Sequence, residues 1–196
     1  MQFLASFTVV ALLMGVFATA DASAQKEKKK EDKTMTYIIT VKQGNKELGK
    51  IELKLWPDVA PKHCAFFDAR VAEGFYDDLA FHRVIPNFMI QGGDPNTKDQ
   101  PRNSWGSGGY KEKVQAEFNS KKHVRGVLSA ARTQDPNSFS GQFFLCVADS
   151  PWLDNQYTAF GEAVSGMEVA DIVVNSPRDA GDCPLEKITF SIVKGK

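Results

Sequence analysis

Beyond Thr34 the hydrophobic residues of this chain come in short segments divided by turn signals, and that rhythm limits the folds open to it. Two β-rich runs, Met35–Val41 and Lys46–Leu55, flank Gln43-Gly44-Asn45, which reads as a hairpin. In the second run Ile51, Leu53 and Leu55 alternate with Glu52 and Lys54, so one face is buried. Pro57 and Pro61 punctuate the start of a helix reaching to about Glu73, with Phe66, Phe67 and Val71 near helical spacing and Gly74 placed to stop it. Short apolar segments follow at Phe81–Ile85, Phe88–Gln91, Val124–Ala131, Phe143–Val147 and Thr158–Phe160, with turn-rich stretches at Asp94–Tyr110 and Gln134–Gly141. Gly166–Val174 predicts a second helix and Leu185–Val193 a last strand. Many short strands with two isolated helices predict an antiparallel barrel or sandwich, not alternating βαβ units. The chain shows no internal repeat.

The amino-terminal segment has a different character. Phe7–Ala20 is an apolar run broken only by Thr8, Gly15 and Thr19, too short to span a bilayer comfortably. Ala22-Ser23-Ala24 matches the cleavage pattern of a secretory signal peptide, and Ala18-Thr19-Ala20 offers a second site. No Lys or Arg precedes the run, which keeps a retained anchor as the alternative. Residues 1–24 are thus expected to be a cleaved leader, 25–34 a charged disordered linker, and 35–196 one domain with no membrane span after cleavage. Basic and acidic residues balance at 24 each, and loss of Asp21 with the leader leaves the chain nearly neutral. Near-neutrality removes the electrostatic case for nucleic-acid binding. Cys64, Cys146 and Cys183 are odd in number and have no metal spacing. The sequence leaves open whether two of them pair, although Cys146 reads as a buried strand residue.

The chemistry concentrates in Phe81-His-Arg-Val-Ile-Pro-Asn-Phe-Met-Ile-Gln-Gly-Gly-Asp94. One guanidinium (Arg83), one carboxamide (Gln91) and two large apolar side chains (Phe88, Met89) stand close together. No metal cluster accompanies them, and the glycines of Trp105-Gly-Ser-Gly-Gly109 lack the Lys of a phosphate loop. No G-x-S-x-G, H-E-x-x-H or reactive-Cys signature marks a hydrolase. A fixed cation, an amide and an apolar wall suit a reaction that breaks no covalent bond. Taken alone, each residue has a plainer reading. Arg83 would be a surface cation, while Phe88, Met89 and Phe144 are the type that fills cores. His82 reads as structural, His63 as a surface residue on the first helix, and His123 as a loop residue. Asp94 reads as support for the Gly92-Gly93 turn.

With this block stand Gly126-Val-Leu-Ser-Ala-Ala131, Ser140-Gly-Gln-Phe-Phe-Leu145, Trp152-Leu-Asp154 and Phe160-Gly161, in that order. Over about Thr36–Val193 the chain resembles the cyclophilin-type peptidyl-prolyl isomerases. The resemblance implies a mainly β fold, a closed eight-stranded antiparallel barrel capped by two α-helices. It implies Arg83 and Gln91 as catalytic residues, and Phe88, Met89, Ala131, Gln142, Phe144, Trp152, Leu153 and Tyr157 as substrate-binding residues. Neither cofactor nor metal is expected. The expected partners are proline-containing unfolded or flexible polypeptides, with the protein acting as a monomer. Trp152 matches the position linked in the family to cyclosporin, so sensitivity to such inhibitors is expected. Three positions depart from the family's common pattern. Tyr157 stands where eukaryotic members have His, Arg132 where Asn is common, and Gly141 where Ser is usual. Tyr157 and Arg132 are bacterial habits, which together with the leader point to a periplasmic or secreted protein.

Overall fold

The computed structural model describes residues 35–195. The expected leader (1–24) and charged linker (25–34) lie outside the described residues. Among those described, the order is β1 (Thr36–Gln43), β2 (Lys46–Leu55), α1 (Pro61–Ala72), β3 (Leu79–Ala80), β4 (Arg83–Ile85), β5 (Met89–Gly92), β6 (Val127–Ala130), β7 (Phe143–Cys146), β8 (Ala159–Ser165), α2 (Met167–Val174) and β9 (Ile188–Lys194). Short 3-10 turns lie at Pro95–Thr97, Arg102–Ser104 and Pro151–Leu153.

All the strands join one antiparallel sheet in the order β3-β9-β1-β2-β8-β6-β7-β5-β4. The sequence predicts eight strands, and the ladder pattern gives nine. The difference lies in residues 79–85. β3 and β4 are the outermost strands of the sheet, yet only Phe81 and His82 separate them in the chain. Phe81 N–H donates to Ile188 O on β9 (3.0 Å) and His82 N–H donates to Gln91 O on β5 (3.1 Å). One bent segment therefore changes partner midway and links the two edges of the curled sheet. No long edge is left unpaired there.

The alternation of strand side chains builds two apolar layers. Tyr37, Ile39 and Val41 of β1 face inward with Ile51, Leu53 and Leu55 of β2, in a register that sets Tyr37 opposite Leu53 and Ile39 opposite Ile51. Phe143, Leu145, Phe160 and Phe190 complete this interior. The helices close it: Phe66, Phe67 and Val71 of α1, and Val169, Ala170 and Val173 of α2, pack into the same core. The other parity of β5, β6, β7 and β8 faces outward yet is also buried. Met89, Val127, Phe144, Cys146 and Ala159 form a second, smaller cluster with Leu153. That outer cluster is the reason β5–β7 carry apolar residues without alternation.

The hairpin turns at Gly44, whose φ is +58°, and β1 runs two residues past the predicted end, to Gln43. Helix α1 starts at Pro61 and stops at the Glu73 cap, followed by Gly74 at φ +70°. Its first turn has no local side-chain cap. Glu117, far along the chain, supplies one. Its carboxylate accepts the backbone N–H groups of Lys62 (3.1 Å) and His63 (3.0 Å) and lies 2.7 Å from His63 Nδ1. His63 is thus buried, not on the surface as the sequence predicts. The prediction fails because its partner, Glu117, comes from a loop that no local pattern places. Cys64, Cys146 and Cys183 are all free thiols, the first two buried. No helix among the described residues is long and apolar enough to cross a membrane.

Candidate active site

β4 and β5 lie side by side with Arg83 directly opposite Gln91. Arg83 is exposed, and its guanidinium has no ion-pair or hydrogen-bond partner among the described residues. Two residues back on β5, Met89 shares the parity of Gln91 and enters the outer apolar cluster. β7 pairs with β5 so that Phe144 stands opposite Gln91 and Cys146 opposite Met89. Side chains close to the guanidinium are therefore brought together by register alone.

These residues surround a cavity of about 320 Å³. Eight of the residues predicted from sequence line it: Arg83, Phe88, Met89, Gln91, Ala131, Phe144, Leu153 and Tyr157. Met89, Phe144 and Leu153 are buried and form its floor. Tyr157 meets Phe144 edge-on, with centroids 5.8 Å apart. The two remaining predicted residues stand at the edge. Trp152 is 56% exposed and packs on Phe88 with centroids 5.6 Å apart. Gln142 lines the neighbouring groove instead.

The amides form a chain. Gln91 Nε2 donates to Gln142 Oε1 (3.0 Å), and Gln142 Nε2 donates to the carbonyls of Gly106 (3.0 Å) and Gly108 (2.7 Å). The glycine loop is held from behind by Asp94. Its carboxylate accepts N–H bonds from Asn96 (2.8 Å), Gly106 and Gly108 (3.1 Å). Asp94 therefore anchors the 106–108 loop, not the Gly92-Gly93 turn expected from sequence. That turn has its own reason for glycine. A Cβ at Gly92 would meet Phe190 Cε1 at 2.6 Å, and Gly93 sits at φ +91° against the Gly141 carbonyl.

Besides His82 and Arg132, three lining residues were not singled out as site residues by the sequence: Trp105, Gly106 and Gly181. The first two belong to the glycine loop that was visible as a motif; for Gly181 the sequence carries no signal. His82 also lines the cavity; it is buried, and neither ring nitrogen has a hydrogen-bond partner among the described residues. Burial holds its pKa below the usual 6.5.

Beneath the floor His123 stacks on Phe144, with centroids 6.2 Å apart. Its Nδ1 lies 3.2 Å from Asp154 Oδ1 and its Nε2 2.9 Å from Ser129 Oγ. The Asp–His–Ser order imitates a hydrolytic triad. Ser129 is fully buried, however, and its hydroxyl also lies 3.0 Å from Thr158 O. A hydroxyl sealed from substrate is no nucleophile. The trio props Phe144. Among the described residues, no group of His, Cys, Asp or Glu is arranged to hold a metal ion.

The site can grip a ring in its apolar floor, anchor a carbonyl with an amide, and present one permanent cation. Among the described residues that line it there is no Ser, Thr or Cys to act as a nucleophile. Residues 36–194 match the family model for cyclophilin-type peptidyl-prolyl cis-trans isomerases. A probable peptidyl-prolyl cis-trans isomerase of Brucella suis is 40% identical over 174 residues, covering 86% of this chain and 82% of its own length. A Schizosaccharomyces pombe peptidyl-prolyl cis-trans isomerase is 42% identical over 146 residues, covering 72% and 89%. The crystal structure of a Cryptosporidium parvum cyclophilin-type isomerase superposes with a TM-score of 0.74 at 29% identity, covering 83% of this chain and 98% of the other. A second crystal structure of that protein, obtained in the presence of the dipeptide Ala-Pro, gives 0.73 at 30% identity, over 82% and 99%. Sequence, fold and relatives agree: the chain belongs to the cyclophilin-type peptidyl-prolyl cis-trans isomerases.

Proposed function

We propose that this isomerase speeds rotation about X–Pro bonds in flexible polypeptides outside the cytoplasm, by binding the half-rotated bond more tightly than either planar form. The barrier to be lowered is about 18–20 kcal/mol and arises from partial double-bond character. At the twisted state resonance is lost and the prolyl nitrogen gains a lone pair. A guanidinium that donates to that nitrogen interacts more strongly there than with a flat amide. Only such differential binding raises the rate. Arg83 meets the requirement, being always charged, exposed at the cavity mouth and free of a carboxylate partner among the described residues.

The floor of Met89, Phe144 and Leu153, with Phe88 and Ala131 on its sides, would seat the proline ring and exclude water from the cation. Gln91, fixed by Gln142, would hold a neighbouring carbonyl while the acyl side turns. Tyr157 supplies a hydrogen-bonding edge, and Trp152 gives a rim on which a cyclosporin-type inhibitor could rest. Proline-containing chains as substrates are supported by the relative crystallised with Ala-Pro. Action as a monomer extends the family resemblance, and an exported location, periplasmic or secreted, extends the reading of the amino-terminal segment.

The observation that carries this reading is the unpaired Arg83 set opposite Gln91 beside an enclosed apolar floor. NMR exchange on an Ala-Pro peptide tests it. A charge-assisted bond of about 1.5–3 kcal/mol corresponds to a loss of roughly ten- to a hundredfold in kcat/KM for Arg83→Ala. Full activity in that variant refutes the assigned role.

A further inference from the structure

We propose that the trough leading out of the proline pocket selects client segments that carry aspartate or glutamate close to the isomerising proline. This rests on the pocket's role given above. A second cavity, of about 530 Å³, adjoins the first, and Gln91, Gly106, Ala131 and Arg132 line both. A bound chain that fills one therefore runs on into the other. The charged residues lining the pair are Arg83, Arg132 and Lys113, and no aspartate or glutamate lines either cavity. Acidic and basic residues balance at 24 each over the chain. A wholly cationic trough is therefore a local arrangement.

The nearest carboxylates are engaged elsewhere. Asp94 is buried behind the glycine loop, taking N–H bonds from Asn96, Gly106 and Gly108. Glu73 accepts from Arg70 (2.7 Å) and from Tyr110 (3.3 Å), and Glu112 lies 3.8 Å from Arg70. Asp135 accepts the N–H of Asn137 (2.8 Å), and Asp182 lies 3.4 Å from Arg178. None of them lines the trough.

Arg132 is fixed without being neutralised. Its Nε donates to Gln156 O (3.2 Å), its Nη1 to Thr133 O (2.9 Å) and Gln134 O (3.4 Å), and its guanidinium lies 4.4 Å over the Tyr157 ring. All these partners are uncharged. Its Nη2 has no hydrogen-bond partner among the described residues, which leaves a donor for a carboxylate. A donor that meets a client's carboxylate side chain, and not the prolyl nitrogen, binds ground and transition states alike. Its effect belongs in KM, not in kcat.

The test uses the full-length chain and peptides in which a central Ala-Pro-Phe is flanked by Glu, by Gln or by Lys. NMR exchange gives kcat and KM, and titration gives the dissociation constant of each peptide. At low salt the Glu peptide is expected to exceed the Lys peptide about tenfold in kcat/KM, nearly all of it in KM, with convergence at about 500 mM salt. Lys113→Gln and Arg132→Gln should each shrink that ratio by about threefold. Equal affinities of the wild-type chain for the Glu and Lys peptides at low salt overturn the proposal, as does a ratio that neither substitution changes. Failure to turn over even the Gln peptide counts against the isomerase mechanism instead, and charge selection is then read from the dissociation constants alone.

Discussion

Cys64 and Cys146 are buried, and desolvation pushes both thiols up to about 12. Cys183 is half-buried and also raised, by desolvation first, with Arg102 at 3.2 Å pulling the other way. Thiolate, not thiol, attacks disulfide reagents, so at pH 8 only about one part in ten thousand of either buried group is reactive. Ellman's reagent should therefore label Cys183 alone, and slowly, in the native protein, and all three cysteines once it is denatured. Fast labelling of two thiols in the native state would contradict the burial. At this scale the site was legible because its residues cluster in a few short blocks whose types fit one chemistry. Partners distant in sequence were not. His63 looked like a surface residue because Glu117 is 54 positions away, and Asp94 was paired with the wrong glycines because Gly106 and Gly108 return to it through a loop. Arg132 was seen as a departure, but nothing in the sequence showed its Nε and Nη1 held by three carbonyls with Nη2 left over.

The remote cap on α1 governs the stability of that element. Glu117 satisfies two orphan N–H groups of the first turn and the ring of a buried histidine. Replacement by alanine removes charge-assisted bonds and leaves the buried His63 ring without its carboxylate, so Glu117→Ala is expected to cost about 2–3 kcal/mol. The urea midpoint measures this, and a shift worth under about 0.5 kcal/mol would refute the cap. The hairpin, both helices and the last strand were readable from turn residues and apolar spacing. β3 was missed because two residues are too few to show alternation. β8 was cut short at Phe160 because its second half, Glu162–Ser165, leaves the buried layer, so the apolar signal ends before the ladder does.

Over the whole molecule, the three histidines move together. Burial lowers the pKa of His63, His82 and His123 below 6.5. Between the folded and unfolded values the unfolded chain binds more protons, so stability falls as pH drops below about 6.5. Carboxylates add a second stage. The backbone N–H of His123 holds Asp154 at about 2. Burial raises Glu117, yet hydrogen bonds from His63 and Lys62 leave it below its usual 4.5. Their contribution is present above the ordinary carboxylate range and is lost as pH falls towards those lowered values. Thermal melts should show a plateau above pH 7 and two descending stages below it, and a maximum near pH 5 would contradict this. The barrel class was visible from the many short strands. A closed barrel was implied only by the family resemblance; the apolar pattern could not show how the two edges meet, because that depends on one segment exchanging partners between Phe81 and His82.

The central claim is that Arg83 acts on the twisted bond and not on the bound peptide. Turnover and affinity measured on one proline peptide, for the wild-type chain and for Arg83→Ala, separate the two most directly. For Arg83→Ala, kcat is expected to fall at least tenfold while the dissociation constant changes by no more than about twofold. Unchanged kcat, or an affinity loss that matches the loss of rate, would contradict the claim.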